Sequence, residues 1–180
     1  MKMREWIYVT MFAMMCFTAC DDDDDNGREL ADTDETFVEN VAMGNMIEVR
    51  FGTLAASKGV HADVREFGQM MVEEHNTAQL ELKAIADDYE DIDWPVDMDD
   101  AHEQIYQQLM NLEGYKFDSL YTASQVMDHE HTLSLFETEV NTGKEQRVKD
   151  YATKFKPHIE MHLAEATTLH AMIMAQPPGN

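Results

Sequence analysis

The run FVENVAMGNMIEVRFGTLAASKGVHADVREFGQMMVEEH, residues 37–75, decides how this chain folds. Phe37, Val41, Gly44, Phe51 and Ala55 recur at steps of three and four or their sums, the spacing of one face of an α-helix. Asp34 or Thr36 can cap its start, and Gly59 stops it. The periodicity then resumes at Val64, Phe67 and Met71 and continues through Ala78, Leu82, Ile85 and Tyr89, so the spacing predicts helices over 37–58 and 62–89. Two such helices joined at a glycine form an antiparallel pair with an apolar face to bury, and a second pair is the natural cover.

The rest of the chain supplies that pair. The acidic stretch EDIDWPVDMDD, residues 90–100, is broken by Pro95 and reads as a loop. AHEQIYQQLMNL, residues 101–112, reads as a short helix. Gly114 divides it from a predicted helix over 115–141, with Val126, Leu133, Phe136 and Val140 as its stripe. Gly143 marks a turn, and residues 145–173 place Val148, Phe155, Ala166, Leu169 and Ile173 on one face. Pro157 lies inside that last helix and is expected to kink or split it. The expectation is an all-α domain over 36–174, a four-helix bundle with an additional short helix in the central connection, closed by a frayed tail over 175–180.

Each long stripe, continued at its own spacing, meets a polar residue: Glu48, His75, His129 and His162. Glu48 and His75 lie 11 and 16 residues from Gly59, a height difference of roughly 8 Å at ~1.5 Å per residue, and His129 and His162 are offset similarly about Gly143. One polar layer is therefore within reach of the side chains. Buried ionisable groups need partners, so the layer is paired internally, as by a Glu48–His75 ion pair, hydrated, or bound to a cation. Imidazole and carboxylate on facing helices suit a divalent metal ion, and Glu48, His75, His129 and His162 are its candidate ligands. His158 stands four residues before His162 and can share an ion with it; Asp128 and His131 form an i, i+3 pair.

Other chemistries lack their residues. The Glu-x-x-His motif that a di-iron bundle uses twice does not occur, which weighs against a ferritin-like oxidoreductase. There is no Gly-x-Ser-x-Gly elbow and no glycine-rich phosphate loop, so no enzymatic activity is expected. Of 15 methionines, five fall within the first 15 residues, and others such as Met71 and Met127 sit at core spacing, where methionine fills gaps more often than it binds copper.

The N-terminus carries a different message. Lys2 and Arg4 precede the uncharged run WIYVTMFAMMCFTA, residues 6–19, which is short for a membrane span and reads as an export signal over 1–19. Thr18 and Ala19 before Cys20 resemble the bacterial lipobox, which implies cleavage before Cys20 and its lipidation; an ordinary secretory signal is the alternative. Five aspartates, Asp21 to Asp25, then open a solvated tether over 20–35. An acidic run in that place resembles a lipoprotein surface-export signal, so the expected location is the cell envelope, as an outer-membrane lipoprotein; the periplasmic side of the inner membrane is the alternative. Acyl chains at Cys20 would make the membrane a partner.

Removing residues 1–19 takes away Lys2, Arg4 and Glu5 and leaves 11 basic against 35 acidic residues, a net charge of −24. Such a surface repels nucleic acid and attracts cations. An interaction module using the acidic face or the loop at Trp94 is a further reading, with no protein partner identified by the residues.

The run 37–75, with KFDSLYTASQVMDHEHTLSLFETEV (116–140) and KPHIEMHLAEA (156–166), resembles the bacterial family called domain of unknown function 4142. That resemblance implies a ferritin-like helical bundle exported to the periplasm or outer membrane, and it implies no biochemical activity. Glu48, His75, His129 and His162 match the family pattern, whereas His158 departs from it.

Overall fold

The computed structural model describes residues 29–175. The export signal over 1–19, Cys20, the aspartate run and the tail residues 176–180 lie outside that range. Among the described residues there are five helices and no strand: α1 (Asp32–Lys58), α2 (Ala62–Ala86), α3 (Asp100–Asn111), α4 (Gly114–Thr142) and α5 (Gln146–Ala175). No helix among them is long and apolar enough to cross a membrane.

The four long helices pack as a bundle. α1 lies against α2 and α4, and α5 against α4 and α2. Each tight turn is held from across the bundle by a buried aspartate. Asp34 of α1 accepts the Lys144 and Glu145 amides at 2.8 and 3.2 Å, and Asp118 of α4 accepts the Val60 and His61 amides at 3.0 and 2.9 Å. The start of α1 is thereby fixed beside the end of α4, and the end of α1 beside the start of α4.

The link from α2 to α4 must then travel the full length of the bundle, and it does so along α1. Asp91 accepts the Leu30 amide, the Asp93 amide donates to Glu39, Arg50 pairs with Asp97 at 2.9 Å, and Lys58 donates to the Leu109 carbonyl at 3.0 Å. Helix α3 forms in this link because Asp99 caps it, accepting the Ala101 and His102 amides at 2.9 and 3.0 Å.

Five expectations need correction. Helix α1 begins at Asp32, ahead of the expected boundary at 36, and Leu30 is already buried in the core. Its N-cap, Ala31, makes no side-chain bond, because Asp34 is committed to the α4–α5 turn instead. The buried stripe of α4 runs through Phe117, Tyr121, Gln125, His129, Phe136 and Glu139, while Val126, Leu133 and Val140 are only half-buried. Helix α5 passes Pro157 unbroken: the proline leaves the Thr153 carbonyl without its usual donor, but flanking packing at Phe155 and Ile159 holds the helix together. Met127 is also exposed, not core.

The core is in two parts. One cluster, around Phe37, Val41, Leu82, Phe136 and Tyr151, fills the end where α1 starts. The other, around Phe51, Phe67, Leu109, Phe117 and Leu169, fills the opposite end. Between Met71 and Ala78, between Tyr121 and Phe136, and between Ile159 and Ala166, each helix crosses from one cluster to the other through a histidine.

Candidate metal centre

That interruption is a polar layer at mid-height. Its register on α1 and α2 follows from a close helix contact, since a Cβ on Gly52 would lie 2.6 Å from the Gly68 carbonyl oxygen, and one on Gly68 would lie 2.8 Å from the Gly52 oxygen. Two helical turns along this antiparallel pair, Asn45 comes opposite His75. His129 of α4 and His162 of α5 complete the layer.

The three imidazoles converge. Ring centroids are 5.8 Å apart for His75 and His129, and 5.3 Å for each of the other two pairs. One nitrogen from each ring lies within 4.8 Å of the others, and the residues are only 4%, 1% and 1% exposed.

Hydrogen bonds assign the tautomers. The Gln79 amide nitrogen donates to the Ala42 carbonyl at 3.1 Å, and its oxygen accepts from Asn45 Nδ2 at 3.1 Å. The Asn45 oxygen must then face His75 Nδ1, which it does at 2.8 Å. An amide oxygen only accepts, so Nδ1 carries the proton. His129 Nδ1 faces the Gln125 carbonyl at 2.9 Å and His162 Nε2 faces Glu74 Oε2 at 3.1 Å, with the same consequence. The remaining nitrogens, His75 Nε2, His129 Nε2 and His162 Nδ1, are buried and have no partner.

Electrostatics keep the rings neutral. Burial, then the neighbouring His129 and His162, pushes His75 well below its usual range. Burial and His162 lower His129 to about 4, against the pull of the Gln125 carbonyl. His162 is also lowered by burial, partly offset by Glu74. Three neutral rings, each with its outer N–H donated to an acceptor, are in the state that metal ligation requires. Zinc–nitrogen bonds of ~2.0–2.1 Å place tetrahedral nitrogens roughly 3.4 Å apart, so the set would need to draw in by an ångström or so.

Glu48 lies beside this centre without joining the converging nitrogens. Its Oε1 is 3.7 Å from His129 Nδ1, the nitrogen already committed to Gln125, and its Oε2 accepts from the Gln125 amide at 2.7 Å. Burial, then Asp128, raises it to about 8, against the pull of Gln125 and His102, so Glu48 and His129 meet as neutral groups. No Glu48–His75 ion pair forms, because Asn45 occupies that histidine. Glu48 instead faces a cavity of about 410 Å³ between α1, α3 and α4. Asp128 and His131 line the same cavity, away from the three rings. There Asp128 foremost, with Asp99, raises His102 to about 9 despite its partial burial.

His158 and His162 meet through Glu74, whose Oε2 lies 2.9 and 3.1 Å from their Nδ1 and Nε2. Trp94 packs back on the bundle beneath Lys83, whose Nζ is 5.4 Å from its ring. The sequence reading did not single out Asn45, Gln125 or His102. Asn45 follows Val41 by four residues and Gln125 precedes His129 by four, so the stripes that found the histidines also pass through both.

Comparison with known proteins gives no match among curated proteins and none among solved structures. A family model does match, over residues 22–169, a span that contains all three histidines and their orienting partners. The chain therefore belongs to the family described as Domain of unknown function (DUF4142).

Proposed function

We propose that this protein is a lipid-anchored envelope protein whose ferritin-like four-helix bundle binds one divalent first-row transition-metal ion through His75, His129 and His162. The observation that carries the reading is the set of three buried, partnerless nitrogens, one per ring, whose opposite nitrogens are each fixed by an acceptor. Leaving a buried polar atom unsatisfied costs about 1–3 kcal/mol, and a single ion would satisfy all three. Three imidazoles suit copper, zinc, nickel or iron, with copper bound most tightly by the usual order. The ferritin-like assignment is supported by the one full-length crossover between two antiparallel helix pairs. Glu48 acts from the second layer, on His129.

A purely structural polar layer, paired within itself, fits the geometry less well, since such a layer would consume the three nitrogens. The test is elemental analysis of the intact protein, purified without chelators or a histidine tag, beside His75→Ala and His129→Ala. One metal per chain, lost in the variants, supports the reading. Metal-free protein whose melting temperature ignores added copper, zinc and iron refutes it, because an ion at 100 times its Kd would add about 2.7 kcal/mol.

A further inference from the structure

The three rings are shut away from solvent, so an ion must reach them through the protein, and the bundle offers two approaches. The larger is the cavity of about 410 Å³ between α1, α3 and α4. None of the three imidazoles lines it. It ends at Glu48, beyond which lies His129 Nδ1, whose proton is turned outward to the Gln125 carbonyl.

The smaller approach is a cleft between α2 and α5. Its volume is about 10 Å³, room for roughly one water-sized particle. Two of the three rings, His75 and His162, form its wall, together with Glu74 and His158. Glu74 and His158 are the solvent-facing members, their side chains 35% and 47% exposed, and Glu74 Oε2 touches both His158 Nδ1 and His162 Nε2. The backbones of α2 and α5 also approach each other less closely than those of the other neighbouring long helices. Pro157, beside His158, removes one backbone hydrogen bond from α5 at this height.

Resting on the metal-binding reading above, we propose that Glu74 and His158 form the port through which a divalent metal ion passes between solvent and the three-histidine centre. The carboxyl and imidazole supply one hard and one borderline donor at the surface, enough to strip part of an ion's water shell before it moves inward. Glu74 has a second part, orienting His162 by its hydrogen bond. His158 bonds to Glu74 and lies against the Phe155 ring, 5.8 Å between centroids, and it makes no hydrogen bond to the three imidazoles, so it reports the port apart from the centre.

The test is stopped-flow uptake of Co²⁺, followed by its visible absorption, in the intact protein and in His158→Ala, Glu74→Gln and Gly44→Leu. Gly44 lines the large cavity, and a Cβ there meets nothing within 4 Å, so leucine narrows that cavity without a clash at its first atom. We expect His158→Ala to slow association roughly tenfold, in the range that local charge and donors change on-rates, with one Co²⁺ per chain still bound at equilibrium. Gly44→Leu should associate at the wild-type rate. Unchanged association in both His158→Ala and Glu74→Gln, or slowing confined to Gly44→Leu, would overturn the port. A His158→Ala protein that loads at the wild-type rate but releases Co²⁺ faster would also overturn it, by making His158 a supporting residue of the bound state. Wild-type protein that takes up no Co²⁺ even after long incubation refutes metal binding itself, a result distinct from any change in rate.

Discussion

Asn45 and His75 face each other across α1 and α2 at 2.8 Å, two helical turns from the Gly52–Gly68 contact that brings these helices together. A backbone approach in one place thus sets the tautomer of an imidazole in another.

Asn45→Ala should lower metal affinity by about 10–100-fold, the usual effect of removing the acceptor behind a ligating histidine. It also strips the partner from Gln79 Oε1. Calorimetric titration with Zn²⁺ measures the affinity, and an unchanged value would mean that His75 is oriented by packing alone.

Gly68→Val should destabilise the bundle by about 1–3 kcal/mol, since the new side chain would press on Ala55 and the Gly52 carbonyl. Urea unfolding reads the change, and metal affinity should fall with it because the Asn45–His75 register depends on the same contact.

The three histidines should make the metal-free protein less stable as pH falls below about 6.5, a contribution read from the difference between the wild type and a histidine variant. His129 has its folded value lowered to about 4 and His75 and His162 are lowered too, so the unfolded chain binds more protons than the native one in that window. Melting temperatures between pH 7 and 4.5 test this. His129→Gln should flatten the slope.

The α4–α5 turn should respond in the opposite direction. Burial, then the Asp34 carboxyl, raises Glu139 to about 8, and a proton held on Glu139 lets it donate to Asp34, which caps the turn with its other oxygen. A raised folded value means that the stabilisation is complete below about 4.5 and is lost as pH rises toward 8, a window shared with Glu48. Glu139→Gln keeps the donor and removes the titration, so its stability at pH 8 relative to pH 5 should exceed that of the wild type.

Cys20→Ala should block acylation and leave unprocessed precursor in whole cells. Labelling with a fatty-acid analogue reads this directly, and equal processing of the variant would point to an ordinary secretory signal.

Much of this was legible one helix at a time. The stripes of α1, α2 and α5 are buried as the spacing predicts, except that Gly44 is half-buried at the large cavity and α2 ends at Ala86, short of the buried Tyr89, and Gly59 and Gly143 end α1 and α4. The stripe of α4 was misjudged because its buried face is unusually polar, carrying Asp118, Thr122, Gln125, His129 and Glu139, so hydrophobicity alone pointed about one residue round the helix. Each of the three histidines was found by its place in a stripe, and so was Glu48.

The sequence by itself determined the helices, most of their buried faces and the polar positions within them, because helical periodicity is local and burial selects a face. Which nitrogen of each ring is free, that Glu48 stands behind His129 instead of pairing with His75, and that Glu74 serves His162 were decided only by tertiary structure. These depend on the rotation and height of one helix against another, fixed by contacts such as Gly52 with Gly68 and Asp34 with the distant α4–α5 turn. Periodicity along one helix carries no information about either.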